Sequence, residues 1–591
     1  MKKRSEIEEK YKWDLTKFCK DEKEFLKRLK NIEEKISLFS KYENKLENDA
    51  ILFECLEFQT KLLIELGLLY RYSDLSSLVE TTDKRANELV ELFSNVDTKF
   101  SVATSFIEIE IGKFSNEKLK KLQENKRFSN YRRYFEAILR EKKHMLSKKE
   151  EKLISNLGDV LAGFNTNFEK FNYADIKFDS VEDSNGEKHE LTVSKGLVYL
   201  ESSDRKLREN TYKTLNATYG KYINFLANNY ICDVKTSCVF AKLRKYKSCL
   251  SAALQSEEID ESVYNMLIRK VRENIDISHK YFDLRRKALN LDDFYGYDLI
   301  ASLKKEEKKY TFEEAVALIK EALSVLGGDY LKLIDRAVNE RWIDVYPNEN
   351  KYTGGFCADT YGTSPVILIN FLGSLQCVFD LAHELGHAMH THFSNENQPY
   401  QTAYYTIFVS EVISTTNELL LFRYLISKAK TKEEKTFLYD KILGDVNSAI
   451  FRQTMLSEFE EKIHSMCEKG EPLSAEILCN TYKDLLGFYN GDKVMPCEEA
   501  KYQWARSPHF FTSFYVYKYA TGFVAASKIS KSLIEDKDFL KKYINFLSSG
   551  NSSDPISLLK IADCDLTKEE TYNEAFASFR EFLDLWKKEN I

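Results

Sequence analysis

Residues Ser374 to His392 read SLQCVFDLAHELGHAMHTH, and their reading decides how the rest of the chain is understood. Leu375, Val378, Phe379, Ala382, Leu385, Ala388 and Met389 recur at three- and four-residue spacing, the period of a helix with one apolar face. Within the stretch lies His383-Glu384-Leu385-Gly386-His387, an H-E-x-x-H pattern, and the same stretch also holds His390 and His392. On a helix, residues four apart lie one turn above each other on one face. Two imidazoles so placed can close on one metal ion, with Glu384 to the side as a group that is not a ligand. Zinc takes imidazole nitrogen and carboxylate oxygen, and a catalytic zinc has three protein ligands with a position left for water. A nearby carboxylate can take that water's proton and pass it to a leaving amine. H-E-x-x-H therefore offers two ligands and a base in five residues. Gly386 adds no side chain that would crowd a ligand. The plainer reading is a buried helix with two surface histidines, and the apolar context weighs against it.

The motif leaves a third ligand unassigned. A metzincin would need Gly at position 390 and His at 393, and His390 and Phe393 stand there instead, so that class is excluded. The acids downstream are Glu396, Glu411 and Glu418. Glu411 and Glu418 bracket E-V-I-S-T-T-N-E, followed by Leu419, Leu420, Leu421 and Phe422. Two turns of helix would put these two acids on one face. One could bind metal while the other orients a ligand histidine. The apolar neighbours argue for a buried helix, where an unpaired carboxylate is costly.

His383-Glu384-Leu385-Gly386-His387 followed by Glu411 in S-E-V-I-S-T-T-N-E resembles the M3 family of zinc oligopeptidases, in its oligoendopeptidase F branch. Matching pieces run the length of the chain: Tyr11-Lys-Trp-Asp-Leu15, Lys351-Tyr-Thr-Gly-Gly-Phe-Cys357, Pro365-Val-Ile-Leu-Ile-Asn370, and Pro508-His-Phe-Phe-Thr-Ser-Phe-Tyr-Val-Tyr-Lys-Tyr-Ala-Thr-Gly522. The resemblance implies one Zn2+ held by His383, His387 and Glu411, with Glu384 as the catalytic base. It implies transition-state and substrate roles for His509 and for one or two of Tyr515, Tyr517 and Tyr519, Tyr515 and Tyr519 foremost. It further implies a mostly α-helical peptidase with a deep cleft between helical halves that admits short oligopeptides.

The remainder of the chain fits a helical protein. Its 591 residues are 43% hydrophobic and 30% charged, with only 7 prolines and 21 glycines to interrupt helices. A net charge of −6 speaks against a nucleic-acid surface. There is no run of eighteen apolar residues for a membrane span and no apolar signal-peptide core. Eleven cysteines spread from Cys19 to Cys564, without a close C-x-x-C pair, read as reduced thiols of a cytoplasmic protein. Cys357 and Cys377, near the motif, read as packing residues, and His189 and His279 as surface and structural groups.

Taken in order, Glu22 to Phe39, Ala50 to Leu75 and Thr82 to Phe106 are amphipathic. Ile176 to Val193 carries Asn185-Gly186 at its centre and predicts a hairpin with a primed turn. Ser203 to Lys245 returns to helix. Thr311-Phe-Glu-Glu314 predicts a capping box on a helix running to Leu326, ended by Gly327-Gly328. Trp342 to Pro347 and Val366 to Asn370 predict a small sheet beside the motif helix, whose edge could pair with an extended peptide. The Gly354-Gly355 pair would let a substrate backbone approach. Trp504 to Phe523 is densely aromatic. The domain organisation expected is a helical region over 1–115, a helical region closed by the hairpin over 116–200, and a catalytic region over 201–591. Two other functions fit less well. One is an exopeptidase removing dipeptides from a carboxyl end, with Arg506 to hold the terminal carboxylate. The other is a non-catalytic peptide-binding protein stabilised by zinc.

Overall fold

The computed structural model describes residues 2–303 and 308–590. Helices dominate it, and strands occur in two small sheets. The amphipathic N-terminal segments form helices Glu22–Ile36, Asp49–Leu78 and Lys84–Thr104. Each begins where an acceptor side chain, Asp21, Asn48 or Asp83, takes a first-turn amide hydrogen. Such a cap is worth about 1 kcal/mol, because those amides have no partner inside the helix. Their apolar faces close on one core that includes Phe25, Ile32, Phe39, Leu52, Leu69 and Phe100.

The hairpin forms, with strands β1 (Val181–Glu182) and β2 (Lys188–His189) antiparallel. Its turn differs from the expected primed type. Within the loop only Gly186 has positive φ, 83°, and the Gly186 amide donates to the Asp183 carbonyl at 3.2 Å. Asp183 Oδ1 accepts from the amides of Asn185 and Glu187, both at 2.9 Å. A side-chain carboxylate thus organises a three-residue turn that leaves Asn185 in ordinary backbone space.

The expected capping box is present, with the Glu314 amide on Thr311 Oγ1 at 3.1 Å and the Thr311 amide on Glu314 Oε2 at 2.8 Å. That helix, Phe312–Ala322, tightens to a 3-10 turn at Leu323–Leu326. Gly327, at φ 81°, turns the chain into the next helix, Gly327–Asn339.

Strands β3 (Ile343–Asp344), β4 (Phe356–Ala358) and β5 (Val366–Leu368) build the second sheet in the order β3-β5-β4. β5 pairs parallel with β3 and antiparallel with β4, and is fully buried. β4 and β5 pack on the motif helix, Leu375–Asn397. Trp13, from the Tyr11–Leu15 stretch, is buried in the same cluster as Phe18, Leu75, Val366 and Leu368.

The chain divides into two compact units, each built from three stretches. The first comprises Met1–Met145, Glu307–Tyr424 and Ile529–Asp563; the second comprises Leu146–Glu306, Leu425–Lys528 and Cys564–Ile591. Among the described residues no helix is long and apolar enough to cross a membrane.

Candidate metal centre

The motif helix opens at Ser374, whose hydroxyl accepts the Cys377 amide at 3.2 Å. It crosses a second helix, Ile407–Lys428, at Gly386. A Cβ at position 386 would stand 2.7 Å from Ser414 Cα, so the two backbones touch where only hydrogen fits. Asn417 stitches the crossing, its Nδ2 donating to the Ala382 carbonyl at 3.1 Å. The glycine therefore serves helix packing rather than ligand clearance. Because the helices approach so closely, carboxylates of the second reach the histidines of the first.

Three side chains converge there. His383 Nε2 lies 3.1 Å from His387 Nε2 and 3.6 Å from Glu411 Oε2. One donor atom from each of His383, His387 and Glu411 falls within 4.8 Å of the others. Each ring is oriented through its far nitrogen. Glu418 Oε1 is 2.5 Å from His383 Nδ1, and Ser410 Oγ is 2.9 Å from His387 Nδ1. An ionised carboxylate only accepts, so His383 Nδ1 carries the hydrogen and its Nε2 lone pair faces the site. Tyr405 adds a hydrogen bond to the His387 carbonyl at 3.3 Å.

The donor set fits a divalent cation. Two Nε2 lone pairs at 3.1 Å repel unless a proton or a cation lies between them. That spacing is near the ~3.3 Å edge of a tetrahedron with metal–nitrogen bonds of about 2.0–2.1 Å. The electrostatics agree. Burial alone would strip the proton from His383, but the Glu418 hydrogen bond and the charges of Glu384 and Glu411 outweigh it and raise the pKa to about 9. Burial, reinforced by His383, holds His387 well below its ordinary value. Burial raises Glu411. The cluster thus asks for positive charge that its own residues supply only by binding a proton. Burial also raises Glu384 to about 7, and its Oε2 makes no hydrogen bond.

A cavity of about 440 Å³ opens beside Glu384, lined by Thr353, Gly354, Gly355, Asn370, Asp380 and His383. A Cβ on Gly355 would come 3.8 Å from Glu384 Oε1, so the glycine leaves that carboxylate approachable. The glycine loop is held from below. Asn370 Nδ2 donates to the carbonyls of Tyr352 and Gly354, at 3.0 and 3.2 Å. Lys351, whose side chain is 1% exposed, pairs with buried Asp344 at 2.8 Å and donates to the Ile369 carbonyl at 2.6 Å. Arg4 pairs with the same Asp344.

Residues 198–578 match the family model described as peptidase family M3, and residues 110–178 match that of oligopeptidase F. The chain belongs to peptidase family M3. It is similar to oligopeptidase PepF of Bacillus subtilis, at 36% identity over 98% of this chain and 87% of that protein. It is also 36% identical to an oligoendopeptidase F homolog of Borreliella burgdorferi, over 99% of both. The crystal structure of oligoendopeptidase-F from Enterococcus faecium superposes with a TM-score of 0.76 at 28% identity, covering 96% of this chain and 99% of that one. The matches place the chain in the oligoendopeptidase F branch, and it is a metallopeptidase.

The other residues singled out in this M3 peptidase fall into separate settings. His509, Tyr515 and Tyr519 lie in the second unit. The His509 ring is parallel to that of Tyr515 at 5.8 Å and edge-on to that of Tyr519 at 6.2 Å. Burial lowers the His509 pKa. Tyr517 is buried in the interior of that unit, its ring 5.3 Å from that of Tyr264. Arg506, in the same unit, lies over the Tyr219 ring and 3.4 Å from Asn216 Oδ1. His390 is fully buried against the Tyr405 ring, and burial drives its pKa down to about 3. The His392 ring is tilted by 38° to that of Trp342 at 6.1 Å, and Glu396 is outside the donor set. Cys377 Sγ accepts from the Leu372 amide at 3.4 Å, and His279 Nε2 sits 3.0 Å from the Phe488 carbonyl. His189 pairs with Asp183 at 3.0 Å. Sequence reasoning overlooked Ser410, Asn417 and Tyr405. The only signal for Ser410 is that it precedes Glu411.

Proposed function

We propose that this M3 peptidase is a zinc-dependent endopeptidase that hydrolyses internal bonds of short oligopeptides. One observation carries the reading: His383, His387 and Glu411 bring their donor atoms to one point, beside the Glu384 carboxylate, whose buried Oε2 has no partner. Zinc, when bound, supplies a Lewis acid for the scissile carbonyl and the attacking water. Glu384 removes the proton from that water and returns it to the departing nitrogen. Burial lifts its pKa toward neutrality, which suits a group that must take and give a proton in one cycle. Glu418 holds His383 in the tautomer that ligates, and Ser410 orients the His387 ring through Nδ1. β4 is an edge of its sheet beside the cavity, so an extended peptide can add as a further strand through backbone hydrogen bonds that are indifferent to sequence. Neutral His509 with the Tyr515 and Tyr519 hydroxyls would donate to the developing oxyanion.

The test is a peptide acetylated at its amino end and amidated at its carboxyl end, analysed by mass spectrometry. Internal cleavage that a chelator abolishes and added zinc restores is the expected result. An exopeptidase would need the free carboxylate that the amide removes. An uncleaved blocked peptide, next to trimming of its unblocked counterpart, would overturn the endopeptidase reading.

A further inference from the structure

The second unit gathers three of the chain's eleven cysteines at one point. Cys238 is on helix Ile223–Leu243, Cys249 opens helix Cys249–Ser256, and Cys467 and Glu468 end helix Gln453–Glu468. Cys238 Sγ is 3.5 Å from Cys249 Sγ, and the donor atoms of Cys238, Cys249 and Glu468 all lie within 4.8 Å of one another. The Cys467 thiol is within hydrogen-bonding reach of Cys238 but outside that 4.8 Å set, so it joins an ion there by turning toward it. The Cys249 amide donates to Glu468 Oε1 at 2.5 Å, which leaves the second carboxylate oxygen available.

A plainer account has small thiols filling space and a glutamate capping a helix. That account leaves an acidic side chain set against two thiols. Glu468 lies directly against Cys249 and adds like charge there, which disfavours a thiolate. A dication reverses this penalty, since a coordinating thiol gives up its proton. The spacing also matches: zinc–sulfur bonds of about 2.3 Å in a tetrahedron put the sulfurs ~3.8 Å apart.

We propose that Cys238, Cys249, Cys467 and Glu468 form a second metal site, for a soft divalent cation of the zinc type. On binding, each of the three thiols releases its proton to solvent and its sulfur takes the ion; no electron moves. Four protein ligands leave no open position, so the ion ties helices together rather than performing chemistry. The cavity of about 310 Å³ lined by Cys249, Arg244, Tyr246 and Ser513 gives it a way in. Ser237, next to Cys238, lies 3.4 Å from Ser513 Oγ, so the site braces the segment that leads into Tyr515.

The site is tested by loading metal-free full-length protein with Co2+ under reducing conditions, and by counting bound zinc after parallel loading. The expected wild-type result is two ions per chain and a sulfur-to-cobalt charge-transfer absorption. Cys238→Ala should bind one ion and lose that absorption. Glu411→Ala should also bind one ion but keep it, which separates this site from the histidine centre. Cys467→Ala, at a less buried position, carries the same expectation as Cys238→Ala and serves where the latter does not fold. A wild-type protein without the absorption, or an absorption unchanged in the cysteine variants, overturns the proposal.

Discussion

The histidine centre in the first unit and the aromatic strip around His509 in the second are held in opposite ways. In the first, side chains hold side chains: Glu418 and Ser410 fix the rings of His383 and His387, and Gly386 lets the helices meet. In the strip, the backbone is what is held. Phe514 sits at φ 56°, an uncommon conformation for a bulky residue, and its amide donates to the buried Glu460 carboxyl at 2.7 Å. His509 itself is flanked by rings. The difference teaches that a metal centre needs ring orientation, which hydrogen bonds supply, whereas hydrogen-bond donors in a strip need only be delivered by a fixed backbone.

Four substitutions press on this comparison. Glu384→Gln removes the base and no proposed ligand, so kcat should fall by about 10² to 10⁴ with zinc content intact. Wild-type turnover in that variant, assayed beside a metal analysis, would remove Glu384 from the mechanism. His509→Ala should lower kcat by roughly 10² to 10³, again with zinc unchanged, the size expected for losing one oxyanion donor. If zinc content dropped instead, His509 would be supporting the metal centre rather than acting as a hydrogen-bond donor. Glu418→Ala and Ser410→Ala should each weaken zinc about 10- to 100-fold, read by competition with a fluorescent chelator. Affinities equal to wild type would mean that the hydrogen bonds to Nδ1 do not set ring orientation.

The smallest effect concerns the anchor of the strip. Burial raises the Glu460 pKa from 4.5 to about 8, against the pull of the Phe514 amide. Between those values the folded protein keeps a proton that the unfolded chain has released. This contribution to stability is therefore complete below pH 4.5 and is lost as pH rises through about 8. The slope is at most about 1.4 kcal/mol per pH unit. Glu460→Gln keeps an acceptor for the amide without the titration, so urea unfolding at pH 5, 7 and 9 should show a flatter profile. Parallel profiles for the two proteins would rule out Glu460 as the titrating anchor.

Much of the fold is legible in the chain because helix signals are local. Apolar spacing marks Glu22–Ile36 and Asp49–Leu78, and Thr311 with Glu314 marks a helix start to the residue. The hairpin at Val181–His189 is legible too, but not its turn, because the Asp183 side chain decides the turn and composition does not show where a carboxylate points. The strip defeats pattern reading for another reason. Tyr515, Tyr517 and Tyr519 alternate along the chain, yet Tyr517 packs on Tyr264 while the other two face His509.

Taken alone, the sequence determined that two imidazoles would share one helix face with a carboxylate to the side, because the helical repeat is set by hydrogen bonds four residues long. It left Glu396, Glu411 and Glu418 as rivals for the third position. Only the crossing of two helices at Gly386 brought Glu411 to the Nε2 side of His383 and Glu418 to its Nδ1 side. The same holds for Cys238, Cys249 and Cys467, which no spacing connects. Their meeting depends on how helices pack, and packing is a balance of contacts summed over the whole unit rather than a property of any short stretch.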